Sequence, residues 1–177
     1  NEGGIVDAAL AKGIAYGETT YVKPHYELNL NDKVETLTID GLEMVFLDAS
    51  GTEAPSEMVT YIPSMKALWT GEVTYQGMHN VYTLRGAKVR DALKWSKKIN
   101  EMIALWGDDV EVLFAAHSAP IWTQTEIVDY LKMQRDAYGF THNQTLRLAN
   151  NGYVLQDLGD KIYDVMPESI QKAWHTN

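Results

Sequence analysis

Val34-Glu35-Thr36-Leu37-Thr38-Ile39-Asp40-Gly41-Leu42-Glu43-Met44-Val45-Phe46-Leu47 places two β-prone runs on either side of Asp40-Gly41. Asp-Gly suits a type I′ turn, whose two central residues both take positive φ. The stretch therefore predicts two antiparallel strands, Val34 to Ile39 and Leu42 to Leu47, and with them a sheet-bearing fold.

Working outward, Met58 to Ile62 reads as a further strand ended by Pro63-Ser64, and Lys66 to Thr70 reads as its short partner. An amphipathic helix is expected from Ala87 to Trp106, with Val89, Ala92, Leu93, Ser96, Ile99, Met102, Ile103 and Trp106 on one face. Gly107-Asp108-Asp109 breaks it. Val110 to Ala116 is then a continuous apolar run, the pattern of a strand buried on both faces. Thr123-Gln124-Thr125-Glu126 has the form of a capping box opening a long helix toward Asn150. Asn151-Gly152 stops that helix, and two shorter ones should follow, the last starting at Pro167. Upstream, Ile5 to Tyr16 has helical spacing that Gly17 can end. The chain thus divides into a mixed α/β part, residues 1–122, and a helical part, residues 123–177, with no repeat and no linker-like stretch between them.

Composition narrows the classes. A length of 177 residues suits one domain, or one domain with a small appendage. A net charge of −9 argues against a general binder of nucleic acid or anionic membranes, although a local basic pocket for an anionic substrate stays open. With no cysteine, thiolate nucleophiles and Cys-type zinc sites are excluded, so any metal must sit on His, Asp or Glu. No run approaches the ~20 apolar residues of a membrane span. The chain starts at Asn1 with no initiator Met and no signal-peptide pattern, which fits a processed or excised chain. Neither a Gly-x-Ser-x-Gly elbow, a P-loop nor a Gly-x-Gly-x-x-Gly fingerprint occurs.

Three candidate metal ligands lie just beyond expected strands: Glu53 after the strand ending at Leu47, Glu72 after Lys66 to Thr70, and His117 after Val110 to Ala116. Strand ends are rigid, and the loops beyond them can converge side chains on one point. Oxygen and imidazole donors together suit zinc, iron or manganese, but two carboxylates and one imidazole are too few for two metals. On spacing alone, solvated loop residues are the commoner reading of all three. Asn80 and Arg85 form a second candidate group, since a guanidinium beside an amide can hold a sulfate or phosphate by paired hydrogen bonds. An Arg capping a surface loop is the plainer reading. His25, His79, His142 and His175 are expected in exposed or structural roles, although His79 is close enough in sequence to contact the site.

Taken in order, Gly51-Thr52-Glu53-Ala54-Pro55-Ser56-Glu57-Met58, Gly71-Glu72, Asn80-Val81-Tyr82-Thr83-Leu84-Arg85-Gly86-Ala87, Ala116-His117 and Asn143-Gln144-Thr145-Leu146-Arg147-Leu148-Ala149-Asn150 resemble the alkyl sulfatases of the metallo-β-lactamase superfamily. The resemblance implies an α/β fold, the C-terminal half of an αββα sandwich through residue 122, followed by helices of a dimerisation region. It implies a two-zinc site in which Glu53 binds one metal, Glu72 bridges both and His117 binds the second, with Asn80 and Arg85 on the sulfate. It implies a sulfuric ester hydrolase taking alkyl sulfates such as dodecyl sulfate to alcohol and sulfate. A homodimer and an extracytoplasmic location are also implied. The family's His-x-His-x-Asp-His motif, which supplies the other ligands, is absent from these 177 residues. On that ground the chain reads as an internal fragment that is inactive by itself and holds zinc partially or not at all. The competing readings are a metal-free scaffold or dimerisation module, and another hydrolase of the same fold, such as a phosphoesterase.

Overall fold

The computed structural model describes residues 17–18, 20–31, 34–83 and 88–171. The helix expected over Ile5 to Tyr16 lies outside the described residues, as do Arg85 and His175. Six strands make one sheet in sequence order: β1 (Val34–Ile39), β2 (Leu42–Asp48), β3 (Met58–Ile62), β4 (Ala67–Trp69), β5 (Val112–Phe114) and β6 (Ile121–Trp122). Neighbours pair antiparallel except β4 and β5, which run parallel and are joined through helix α1 (Ala92–Trp106). Helices α2 (Gln124–Asn150) and α3 (Leu155–Asp164) follow, then a 3₁₀ turn, Glu168–Ile170, just after Pro167. The mixed α/β architecture is the expected one, and among the described residues the last strand ends at Trp122.

The opening hairpin forms as its sequence dictates. Asp40 and Gly41 take φ of 51° and 81°, the left-handed values that an Asp-Gly I′ turn requires. Ile39 pairs with Leu42, which puts the turn at the expected position.

Register separates the two faces of the sheet. On one face Val45, Tyr61, Leu68, Leu113 and Ile121 line up across five strands, with Leu47 opposite Val59 in the next row. Helices α1 and α2 cover this face, contributing Trp95, Ile99, Met102, Trp106, Ile127, Leu131 and Tyr138 to a single core. The other face carries Phe46, Thr60, Trp69 and Phe114 in one row and Ile62, Ala67, Val112 and Trp122 in the next. None of these residues belongs to that core, although Phe46, Thr60 and Ala67 are buried. Trp69, Val112 and Phe114 are half-buried, and Trp122 is 62% exposed.

Three expectations need correction. Strand β5 spans Val112–Phe114 rather than Val110 to Ala116, and it is not buried on both faces: Leu113 is buried, whereas Val112 and Phe114 are half-buried. Helix α1 begins at Ala92 rather than Ala87: Asp91 is the cap, accepting the Lys94 amide at 2.9 Å, and Val89 is exposed. The Thr123 to Glu126 capping box does not form. Thr123 sits at φ 73° with its amide donated to the Glu111 carbonyl, and its side chain makes no cap bond. The long helix nevertheless starts where the box predicted.

Candidate metal centre

Each candidate ligand is placed by a turn that its neighbours hold shut. After β2 the chain folds back on itself: the Ala49 amide donates to the Glu57 carbonyl, and buried Thr52 gives its hydroxyl to the Ala49 carbonyl at 2.6 Å. Gly51, at φ 79°, makes the tight bend that presents Glu53. After β4, Gly71 at φ 57° turns the chain outward, and its carbonyl accepts the Ala116 amide. That bond sets Glu72 and His117 at the ends of two adjacent parallel strands. A side chain at Gly71 would also press on Glu57, whose Oε1 lies 3.2 Å from where a Cβ would stand.

The donors converge. One Glu72 oxygen, Oε1, lies 3.4 Å from His117 Nε2, and the other, Oε2, lies 3.1 Å from His79 Nε2. His79 Nε2 is in turn 3.8 Å from Glu53 Oε1. Glu53, Glu72 and His79 each offer one ligand atom within 4.8 Å of the others. His79 is the residue that sequence reasoning set aside. Its side chain is 12% exposed, against 60% for His117.

His79 reaches the site because helix α2 holds its loop. Gln134 donates to the carbonyls of Tyr75 and Gly77, and the Tyr138 hydroxyl accepts the His79 amide at 3.0 Å. Burial pushes the Tyr138 phenol pKa up, so it stays a neutral partner. Tyr75 stands edge-on to both imidazoles, 5.8 Å from His79 and 5.5 Å from His117. Beneath His79 lies Trp95, with ring centroids 5.8 Å apart. A third carboxylate is close by. Burial raises the Glu57 pKa from its ordinary value, the Met58 amide opposes that rise, and the negative charges of Glu53 and Glu72 add to it.

Asn80 is exposed, and its amide donates to the Tyr82 carbonyl within its own loop. The structure does not bring it among the carboxylates, and Arg85 lies outside the described residues. His25 is exposed in a loop and His142 is half-buried on α2, and neither belongs to this group.

The donor set is carboxylate oxygen and imidazole nitrogen, the chemistry that suits zinc or a neighbouring first-row ion. Among the described residues Glu53, Glu72 and His79 lie close enough to share one ion, and His117 reaches only the far oxygen of Glu72.

No family model matches the chain. It is 42% identical over 159 residues to a linear primary-alkylsulfatase of Pseudomonas sp., a match that covers 90% of this chain and 23% of that protein. It is 40% identical over 173 residues to an alkyl/aryl-sulfatase of Saccharomyces cerevisiae, covering 98% of this chain and 26% of the relative. Among solved structures, a double mutant of a sec-alkyl sulfatase superposes with a TM-score of 0.83 at 35% identity, over 89% of this chain and 24% of that one. In sequence and in fold the chain belongs with the alkylsulfatases, and it spans about a quarter of the length of the relatives it matches.

Proposed function

We propose that this chain supplies part of the active site of a metal-dependent alkylsulfatase, a sulfuric ester hydrolase acting on alkyl sulfates. The observation that carries the proposal is the convergence of Glu53, Glu72, His79 and His117 at the ends of β2, β4 and β5, in a chain related to alkylsulfatases over most of its length. Glu53, Glu72 and His117 would hold zinc, with Glu72 offering one oxygen toward each imidazole. When bound, zinc supplies Lewis acidity and activates a water nucleophile near neutral pH.

The remaining roles fall to the chain's own groups. Asn80 and Arg85 would bind the sulfate oxygens, and Asn80 would exchange its bond to the Tyr82 carbonyl for one to the substrate. Next to Asn80 in sequence, Val81 joins Val89, Ala92 and Leu146 in lining a cleft of about 460 Å³ that also includes Arg90, Asp91, Thr141, His142 and Thr145. An alkyl chain laid there would bury apolar surface while its sulfate reached the carboxylate group. The residues from Thr123 onward would lead into a dimerisation region, and the sheet would be half of an αββα sandwich.

Turnover of dodecyl sulfate and of a phosphate monoester by the intact protein tests the reaction class. Hydrolysis of the sulfate with stoichiometric zinc is the expected result. Turnover of the phosphate ester alone would make the protein a phosphoesterase, and a protein with neither metal nor turnover would be a scaffold.

The sheet adds a second expectation. Its second face leaves Trp69, Val112 and Phe114 half-buried and Trp122 62% exposed, an apolar surface that another chain could cover. The 177-residue chain alone should therefore self-associate in light scattering. A monodisperse monomer with a cooperative melt would contradict this.

A further inference from the structure

Arg90 has no role in the reading above, yet it makes several polar contacts next to the carboxylates. Its side chain is 10% exposed and all three guanidinium nitrogens are engaged. Nε donates to the Glu53 carbonyl at 2.6 Å, and Nη2 pairs with the carboxylate of the same residue. Nη1 donates to the Asn80 carbonyl at 2.8 Å and lies 3.4 Å from His79 Nδ1. The main chain repeats the pattern. The Arg90 amide donates to the Val81 carbonyl at 2.9 Å, and the Asp91 amide donates to the Gly51 carbonyl at 3.3 Å.

We propose that Arg90 is a positioning residue: its fork ties the Glu53 turn to the His79–Asn80 loop and fixes the Glu53 carboxylate for metal binding. The inference rests on the metal reading of the site and adds to it a residue that touches neither metal nor substrate. Three features support it. The guanidinium grips Glu53 at two points, the carbonyl and the carboxylate, so it sets the orientation of the side chain as well as its charge. A planar fork can do this, whereas an ammonium on a flexible stem cannot. The same group reaches across to the other loop, so Glu53 and His79 are placed relative to each other by one rigid plane. Finally, hydrogen bonds to ligating carboxylates and imidazoles tune metal affinity through orientation.

The test compares Arg90→Lys and Arg90→Gln with wild type in the intact protein. Zinc affinity is read by chelator competition, and amide hydrogen exchange over residues 51–57 and 79–83 is read in the metal-free protein. Lysine keeps the charge, so its metal-free melting temperature should stay close to wild type. Its zinc affinity should nonetheless fall about ten- to a hundred-fold, and exchange should quicken in both loops together. Arg90→Gln should be at least as impaired. Wild-type zinc affinity and unchanged exchange in Arg90→Lys would overturn the proposal. So would a lower melting temperature with undiminished zinc affinity, since that would mark a merely structural residue. If the wild-type protein bound no zinc, the metal reading of the site would fail, and quickened exchange in both loops would still uphold the clamp on Glu53 while unchanged exchange would overturn it.

Discussion

Glu72→Ala in the intact protein is expected to lower kcat/KM for dodecyl sulfate by well over ~100-fold, more than the ~10–100-fold that follows loss of a group merely supporting a metal ligand. Glu72 is the only one of the four side chains with an oxygen toward each imidazole, His79 at 3.1 Å and His117 at 3.4 Å. Removing it separates the two halves of the donor set. Stability should hardly change, because the side chain is 36% exposed at a loop and such substitutions usually fall within about 0.5 kcal/mol. Steady-state kinetics and a melting curve on the same preparation separate these effects. Wild-type turnover in Glu72→Ala would remove Glu72 from the ligand set.

The largest effect on stability is expected at Trp95. This residue is fully buried, stacks on Tyr138 at 4.3 Å with the rings 14° apart, and donates its indole N–H to the Val73 carbonyl at 2.7 Å. Trp95→Ala opens a cavity between α1 and α2 and leaves a buried carbonyl without its donor. A cost of about 3–5 kcal/mol is expected, a large share of the ~5–15 kcal/mol that holds a typical domain folded. The indole is also the floor under His79, so zinc affinity should weaken in whatever protein remains folded. Urea denaturation followed by circular dichroism measures the first effect. A loss below ~1 kcal/mol would mean that the α1–α2 contact is not where stability resides.

Strands and turns were legible where local chemistry decides them. Asp40-Gly41 dictates its turn whatever surrounds it, and Pro63 ends β3 by itself. Helix α1 was extended too far upstream because Val89 falls on the helical period, although Asp91 is the better cap and the chain before it is drawn to Val81 and Gly51. At the candidate site, Glu53, Glu72 and His117 could be singled out because each follows an apolar run. His79 and Arg90 follow none. Both are brought in by partners distant in sequence: Tyr138 and Gln134 hold the His79 loop, and Glu53 receives Arg90. Such contacts leave no periodic trace. The apolar run Val110 to Ala116 is ambiguous in another way, because a strand with a core on one side and half-buried apolar residues on the other has the same composition as one enclosed on both.

The parallel pairing of β4 with β5 has a consequence for the order of events during folding. Strands β1 to β4 form a meander whose contacts are near in sequence, so little chain entropy opposes them. Pairing Trp69 with Phe114 must instead close the long loop containing α1, a cost that local turns do not carry. Glu72 and His117 lie just past that pair, on either side of the newly made ladder. Glu72 and His117 should therefore stay apart in early folding species and come together only after the slowest step. Metal added at the start of refolding should leave the folding rate unchanged and slow unfolding instead.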